Sequence, residues 1–219
     1  MVTFDRRHFN ARVYDLILQR IIRGDYRPGE KISLQQLADE LQISRSPVKD
    51  ALTKLHGAGI IDITPQRGHY VHVVSPQELQ DLFEFRLLIE VYAAKKAAGS
   101  GRRHDLRRLE KILADAAPLV SRKGVKDIIR FSDLDSAFHL EIVRMAGNAT
   151  LTKGYTDAHF HMHNFGTQFA SIRRRAGEAH AEHHEILRAL KSGDAKRIEG
   201  SITHHLEMVR RNLMISAEK

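Results

Sequence analysis

The sequence contains no cysteine among its 219 residues. The chain can therefore form neither disulfide bonds nor thiolate metal sites, and it can carry no cysteine nucleophile. It also has no uninterrupted apolar run approaching the roughly 18 residues of a membrane span. Its first ten residues mix charged and apolar side chains, which is unlike a signal peptide. We therefore expect a soluble, cytoplasmic protein without a membrane partner.

The composition favours a folded protein with a polyanionic partner. Hydrophobic residues make up 42% and charged residues 28% of the chain, a mixture that can bury a core. The chain has 35 Lys and Arg against 27 Asp and Glu, a formal net charge of +8. This excess of positive charge favours nucleic acid as a partner. The alternative is that the basic residues only keep the protein soluble. The length allows two domains.

The beginning of the chain has the pattern of three short helices. Apolar residues at three- and four-residue spacing predict a first helix over residues 9–23. Ser33 and Gln36 form a capping-box pattern for a second helix, residues 34–41. Ser44 and Pro47 are suited to the cap and the first turn of a third helix.

A β-hairpin is predicted directly after the third helix. Two runs rich in β-branched residues, 60–64 and 70–74, are separated by the turn 65–68. Three helices followed by such a hairpin are typical of a winged helix-turn-helix. We assign residues 1–75 to this DNA-binding domain.

The remaining residues, 76–219, predict a second domain made only of helices. Ser75, Pro76 and Glu78 combine a cap, a first-turn proline and a capping-box glutamate, so a new helix begins there. Helical patterns then follow one another at about 76–98, 102–117, 125–146, 149–170, 178–192 and 194–216. No strand pattern competes with them, and an all-α bundle of six helices is expected. The whole chain is thus predicted to be mainly α.

Six residues of the first domain are candidates for DNA contact: Ser44, Arg45, Ser46, Lys49, Arg67 and Gly68. Arg45 and Lys49 share one face at the start of the third helix, where a recognition helix meets base edges. The two serines can donate to phosphate oxygens. Arg67 lies at the hairpin tip, and Gly68 allows a close approach to DNA. Solvated surface charge is the alternative for each cation alone, but the combination favours operator DNA as the partner.

A metal site is the corresponding candidate in the second domain. Asp135 and His139 are four residues apart on one helix, the spacing by which a helix supplies two ligands to one ion. His183 and His205 fall on the inward stripes of two further helices. Such a set suits Zn, Ni or another divalent transition metal without selecting one. The alternative for each histidine is an ordinary core or surface residue, since the chain has 14.

Residues 37–52, LADELQISRSPVKDAL, resemble the signature of GntR-family transcriptional regulators. Compared with the family pattern, Ser46 replaces threonine, Lys49 replaces arginine and Asp50 replaces glutamate. Lysine at position 49 cannot make the bidentate guanine contact that arginine makes. The resemblance implies a homodimer that reads a roughly palindromic operator. It also favours a repressor, because most relatives repress.

Residues 76–219 resemble the FCD ligand-binding domain of the FadR subfamily. The matching pieces are RLLIE at 86–90, DSAFH at 135–139, AGN at 146–148, EHHEIL at 182–187 and HL at 205–206. By this resemblance, the metal-binding positions of the family correspond to Asp135, His139, His183 and His205. The family also implies a small effector that changes DNA affinity.

Arg86 is our candidate for binding a carboxylate of a small organic-acid effector, since a buried guanidinium can hold a carboxylate at two points. An ion pair with Glu90, four residues along, is the alternative. Asn148 is a second candidate for the effector, with a helix cap as its alternative.

Two other functions remain open from the sequence. The ion itself could be the signal, which would make the chain a direct metal sensor. A helical-bundle metal hydrolase or lyase with a DNA-binding appendage is the enzyme alternative. The sequence has no His-Glu-x-x-His motif, no obvious general-base glutamate and no cofactor loop, so we do not expect an enzyme.

Overall fold

A computed structural model describes residues 6–99, 106–121, 124–166 and 170–217. The chain divides into two compact units, Met1–Val73 and Val74–Lys219. None of the helices within the described ranges is long and apolar enough to cross a membrane.

The first unit consists of three helices and a small antiparallel sheet. Its elements are α1 (Arg6–Arg23), β1 (Lys31–Ile32), α2 (Leu34–Glu40), α3 (Arg45–Gly57), β2 (Ile61–Thr64) and β3 (Gly68–Val71). The strand order is β1-β3-β2. Gly24, with a φ of +86°, follows α1, and Ser33 Oγ accepts from the Gln36 amide at 3.3 Å. The predicted helix end and the predicted N-cap at Ser33 are therefore confirmed.

The hairpin differs in detail from the prediction. β3 begins at Gly68 rather than Tyr70 and ends at Val71, because Thr64 already pairs with Gly68 across a three-residue turn. β1 was not predicted, since two residues are too few to show a periodic pattern. Ser44 occupies the N-cap of α3 but makes no side-chain capping bond.

The first unit is held together by apolar side chains between α1, α3 and the sheet. Ile17, Ile21, Leu52, Leu55 and Ile61 are completely buried. Each such side chain contributes roughly 1.5–3 kcal/mol when fully buried. This core fixes α3 so that its opposite face points to solvent.

The second unit is a bundle of long helices. Its elements are α4 (Pro76–Gly99), α5 (Arg107–Ala116), a 3-10 turn (Ala117–Leu119), β4 (Val120–Ser121), β5 (Gly124–Val125), α6 (Ile128–Arg144), α7 (Ala149–Gly166), α8 (Ala170–Ser192) and α9 (Ala195–Ala217). At the start of α4, Glu78 Oε2 accepts from the Ser75 amide at 2.8 Å, and Ser75 Oγ accepts from the Glu78 amide at 3.2 Å. A winged helix-turn-helix followed by a helical domain confirms the predicted fold class.

Two predictions for this unit are wrong. α8 begins at Ala170, not at 178, because the helix includes Gly177, after which the predicted helix began. A short hairpin of β4 and β5 lies where no strand was expected. The hairpin comes close to α8 at Gly177, where an added Cβ would lie 3.9 Å from the Ser121 carbonyl oxygen. The predicted helix start at 102 falls in residues 100–105, and the last part of the predicted helix 149–170 includes residues 167–169; both stretches lie outside the described ranges.

The core of the second unit brings α6, α8 and α9 together. Phe138 and Ile142 of α6, Ile186 of α8, and Ile198 and Ile202 of α9 are all completely buried in one cluster. α4 packs along α9 and adds Leu79 and Phe83 to this cluster. The inward faces of these helices therefore surround the polar residues described next.

Candidate metal centre and DNA-binding helix

Four potential metal ligands from three helices meet inside the second unit. They are Asp135 and His139 of α6, His183 of α8 and His205 of α9, and their ligand atoms all lie within 4.8 Å of one another. The three imidazoles are buried, whereas the Asp135 side chain is 29% exposed. The structure thus brings together the residues that the sequence analysis selected.

The spacing of these atoms fits one bound ion. Nε2 of His205 lies 3.2 Å from Nε2 of His139 and 3.3 Å from Nε2 of His183. Nε2 of His183 lies 3.3 Å from Oδ1 of Asp135. Ligands at about 2.0–2.1 Å from a tetrahedral ion are about 3.3 Å apart. Three nitrogens and one oxygen at this spacing suit a divalent transition metal.

Two carboxylates, the buried Glu90 and the partly exposed Glu182, orient two of the imidazoles. Nδ1 of His139 lies 2.7 Å from Oε2 of Glu90, and Nδ1 of His205 lies 2.8 Å from Oε2 of Glu182. Because a carboxylate accepts hydrogen bonds, each ring donates from Nδ1 and turns the lone pair of Nε2 toward the centre. Neither glutamate was assigned this role from the sequence, since their contacts join residues 49 and 23 positions apart.

Both carboxylates are held ionised by their neighbours. Burial raises the pKa of Glu90, but Arg86 and His139 outweigh it and lower that pKa below its usual value. Burial likewise raises the pKa of Glu182, and its hydrogen bonds to His205 and Arg175 lower it overall. Each glutamate can therefore act as a charged acceptor for its histidine.

Burial keeps two of the imidazoles in the form that binds metals. It lowers the pKa of His183 well below its usual value, and the neighbouring His205 and His139 lower it further. Burial also lowers the pKa of His205, although the bond to Glu182 opposes this. Both rings are neutral at neutral pH, and a metal requires the neutral imidazole.

The two effector candidates both have partners within the protein. Nε of buried Arg86 donates to Oε1 of Glu90 at 2.6 Å, so the ion pair considered from the sequence is present. Oδ1 of Asn148 accepts from the Leu151 amide at 3.1 Å, which caps the start of α7. A contact of either residue with an effector stays a prediction.

The DNA-contact candidates lie on the solvent side of the first unit. Val48, Leu52 and Leu55 hold α3 in the core, whereas Ser44, Arg45, Ser46, Lys49 and Arg67 are exposed. Gly68 has a φ of +119°, a conformation that favours glycine. Burial lowers the pKa of His69 in β3, and the charges of His56 and Lys49 add to this. Lys49 of α3 is therefore close to His69 in β3.

Comparisons with known proteins identify the class. Residues 9–71 match the bacterial regulatory proteins of the gntR family, and residues 81–208 match the FCD domain. The chain therefore belongs to the GntR family of transcriptional regulators, as the sequence motifs indicated, and carries an FCD domain. The gntR-type helix-turn-helix implies DNA binding. The family and the relatives below are regulators rather than enzymes.

Individual relatives extend over most of the chain. The HTH-type transcriptional repressor RspR of Escherichia coli (strain K12) is 26% identical, with 91% of this chain and 86% of RspR covered. LutR, an HTH-type transcriptional regulator of Bacillus subtilis (strain 168), is 24% identical, with 86% and 94% covered. A GntR regulator from Rhodococcus sp. RHA1 has a similar fold, with a TM-score of 0.77, 21% identity, and 95% and 98% of the two chains covered.

Proposed function

We propose that this chain is a repressor of the FadR subfamily that holds a divalent metal with Asp135, His139, His183 and His205. A small carboxylate-bearing effector would bind at this metal and change the affinity of the protein for DNA. Repression is supported by the relative RspR, which is named a repressor. A metal is supported by the similar fold of an FCD domain that was solved in a metal-free form, with a TM-score of 0.52, 20% identity, and 65% of this chain and 96% of that domain covered.

The observation that best supports a bound metal is the pair of Nε2 atoms of His139 and His205, which face each other 3.2 Å apart. Each ring is held at Nδ1 by a glutamate carboxylate, so the Nε2 atoms of both rings face each other. A shared cation at this point would bond to both nitrogens. When bound, the ion would supply a Lewis-acidic position for a carboxylate oxygen.

The surroundings of the centre favour an anionic effector. Asp135 is the ligand with solvent exposure, so we infer that small molecules reach the centre on its side. Burial lowers the pKa of Arg86, but Glu90, Tyr155 and Asp135 together raise it. The guanidinium therefore stays charged close to Asp135, where it would attract a carboxylate.

A second copy of the chain is the partner we propose for the outer face of α4. Leu88 and Tyr92 are 72% and 51% exposed, four residues apart on that face. They border a groove of about 610 Å³ that includes Val91 of α4 and Thr203 of α9. A pair of exposed large apolar side chains on one helix face is typical of an interface. Two winged helices related by symmetry would then read two operator half-sites.

Regulation would follow from a shift between two arrangements of such a dimer. An effector changes DNA affinity only by as much as it prefers one arrangement over the other. The usual size of this coupling is about 1–3 kcal/mol, which is a change of roughly 5- to 150-fold in affinity.

The experiment begins with DNA fragments selected from a random pool by the Zn²⁺-loaded protein. Fluorescence anisotropy at fixed salt then measures DNA affinity with a panel of small mono- and dicarboxylic acids, after a thermal-shift screen for binding. We expect at least one acid that stabilises the protein to change its DNA affinity. If every stabilising acid leaves the affinity unchanged, effector control is wrong. If a chelator alone changes it, the ion is the signal.

A further inference from the structure

We propose that Glu90 and Glu182 are positioning residues that set the metal affinity of the centre, each as the middle of an arginine–glutamate–histidine relay. This inference rests on the proposed metal centre and adds residues that are not ligands. Its basis is that two different pairs of helices repeat the same arrangement of three side chains.

The first relay joins Arg86, Glu90 and His139. Nε of Arg86 donates to Oε1 of Glu90 at 2.6 Å, and the Tyr155 hydroxyl donates to the same oxygen at 2.7 Å. The other oxygen, Oε2, accepts from Nδ1 of His139 at 2.7 Å. Because both oxygens have donors, the carboxylate cannot rotate without losing a bond. The orientation of the His139 ring is fixed in turn.

The second relay joins Arg175, Glu182 and His205. Nη2 of Arg175 donates to Oε1 of Glu182, and Oε2 of Glu182 accepts from Nδ1 of His205 at 2.8 Å. Arg175 is buried, so its charge acts on Glu182 with little screening. As in the first relay, the arginine takes one oxygen and the histidine takes the other.

His183 is positioned by a different kind of contact. Its ring stacks on Phe138, with centroids 4.6 Å apart and an interplanar angle of 30°. The Nε2 of His183 then faces Asp135 and His205. The two relays therefore act on His139 and His205, the pair whose Nε2 atoms face each other at 3.2 Å.

The relays would strengthen metal binding in two ways. A fixed Nδ1–H selects the tautomer with a free Nε2, and an ionised carboxylate on that hydrogen makes the ring a stronger donor to the metal. Replacing glutamate by glutamine keeps the shape and removes the charge. Loss of such an outer carboxylate lowers metal affinity by about 10- to 100-fold.

The test uses the full-length protein after removal of metal, with Zn²⁺ and Co²⁺ as probes. Competition with a chromophoric chelator gives the Zn²⁺ affinity, and the visible spectrum of bound Co²⁺ reports the ligand geometry. We expect Glu90→Gln and Glu182→Gln each to weaken Zn²⁺ binding by about 10- to 100-fold and to change the Co²⁺ spectrum. The matched control is Glu199→Gln, because Glu199 is a carboxylate in an exposed ion pair with Lys95. This variant should have the Zn²⁺ affinity and the Co²⁺ spectrum of the unmodified chain.

Thermal unfolding of the metal-free variants separates misfolding from lost positioning. Glu90 is completely buried beside Arg86, so E90Q is the variant more prone to misfold; Glu182 is partly exposed, and E182Q keeps the test decisive. If the folded glutamine variants bind Zn²⁺ with unchanged affinity and an unchanged Co²⁺ spectrum, the relays are wrong and the metal centre stands. If the unmodified chain itself does not bind Zn²⁺, the metal centre is wrong and the relays fail with it.

Discussion

The hydroxyl of Tyr155 donates a hydrogen bond to Oε1 of Glu90 at 2.7 Å, so α7 contributes to the support of a carboxylate on α4. Both side chains are completely buried. The contact joins positions 65 residues apart. Tyr155 is thus a third donor to the Glu90 carboxylate, which also accepts hydrogen bonds from Arg86 and His139.

Tyr155→Phe tests the strength of this support. The change removes one donor from a buried charged acceptor, and hydrogen bonds to charged groups contribute about 1.5–3 kcal/mol. We expect the free energy of unfolding of the metal-free protein, measured by chemical denaturation, to fall by that amount. Tyr14→Phe, at a partly exposed position of α1, should change it by less than about 0.5 kcal/mol. Equal losses in both variants would contradict a specific role for Tyr155.

His183 and His184 are adjacent in sequence and provide a matched pair. His183 is buried among the candidate ligands and His184 is exposed. We expect His183→Ala to lower Zn²⁺ affinity by more than about 100-fold, beyond the range of an outer-shell change. His184→Ala should leave it unchanged in the same chelator competition. A similar loss in both variants would show that the binding depends on surface histidines.

Arg45→Ala tests the DNA-contacting face of α3. Loss of a contact to a base edge costs about 1–3 kcal/mol and relaxes sequence specificity at that position. Lys54→Ala is the control, because Lys54 is exposed in the last turn of the same helix. Anisotropy titrations on selected DNA at several salt concentrations measure both effects. The assignment of α3 fails if Lys54→Ala weakens binding as much as Arg45→Ala does.

Gly68→Ala tests the geometry of the hairpin. A Cβ at this φ of +119° would be strained and would lie 3.1 Å from Cε of Lys31. We expect a loss of about 1–3 kcal/mol in the free energy of unfolding. Gly57→Ala meets no atom within 4 Å at the end of α3, so it should be neutral or stabilise by up to about 1 kcal/mol. Denaturation of both variants would decide whether the strain is real.

Leu88→Glu tests the proposed dimer face on α4. A charge at this exposed apolar position should convert dimers to monomers at micromolar concentration, because burying an unpaired charge in an interface is unfavourable. Sedimentation velocity gives the oligomeric state. Val73→Glu makes the same kind of change at a position that is also exposed and should leave dimers intact. A dimer that survives Leu88→Glu excludes this face as the interface.

The parts of the fold that the sequence predicted are those set by neighbouring residues. Ser33 with Gln36 and Ser75 with Glu78 act within four residues of each other, and their capping bonds are present. The start of α8 could not be predicted in this way. Glycine within a helix costs about 1 kcal/mol locally, so the local pattern favours a break at Gly177. The helix continues through it because α8 packs against the β4 and β5 hairpin and against α9.

The same distinction applies to the candidate site. Asp135 and His139 could be paired from their helical spacing, and His183 and His205 from the inward stripes of their helices. Glu182 was part of a recognised motif, but its bond to His205 depends on how α8 packs against α9. Tyr155 lies in a helix without a distinctive motif, and only the folded structure brings it to Glu90.

The unequal exposure of the four candidate ligands would affect the rate at which a bound metal exchanges. Three buried rings shield one side of the centre, and the partly exposed Asp135 is on the other. A chelator would have to displace this carboxylate first, so removal should be slow for bulky chelators and faster for small ones of equal affinity. Protein prepared with a brief chelator treatment would then keep its ion, and exchange would take longer than affinity alone suggests.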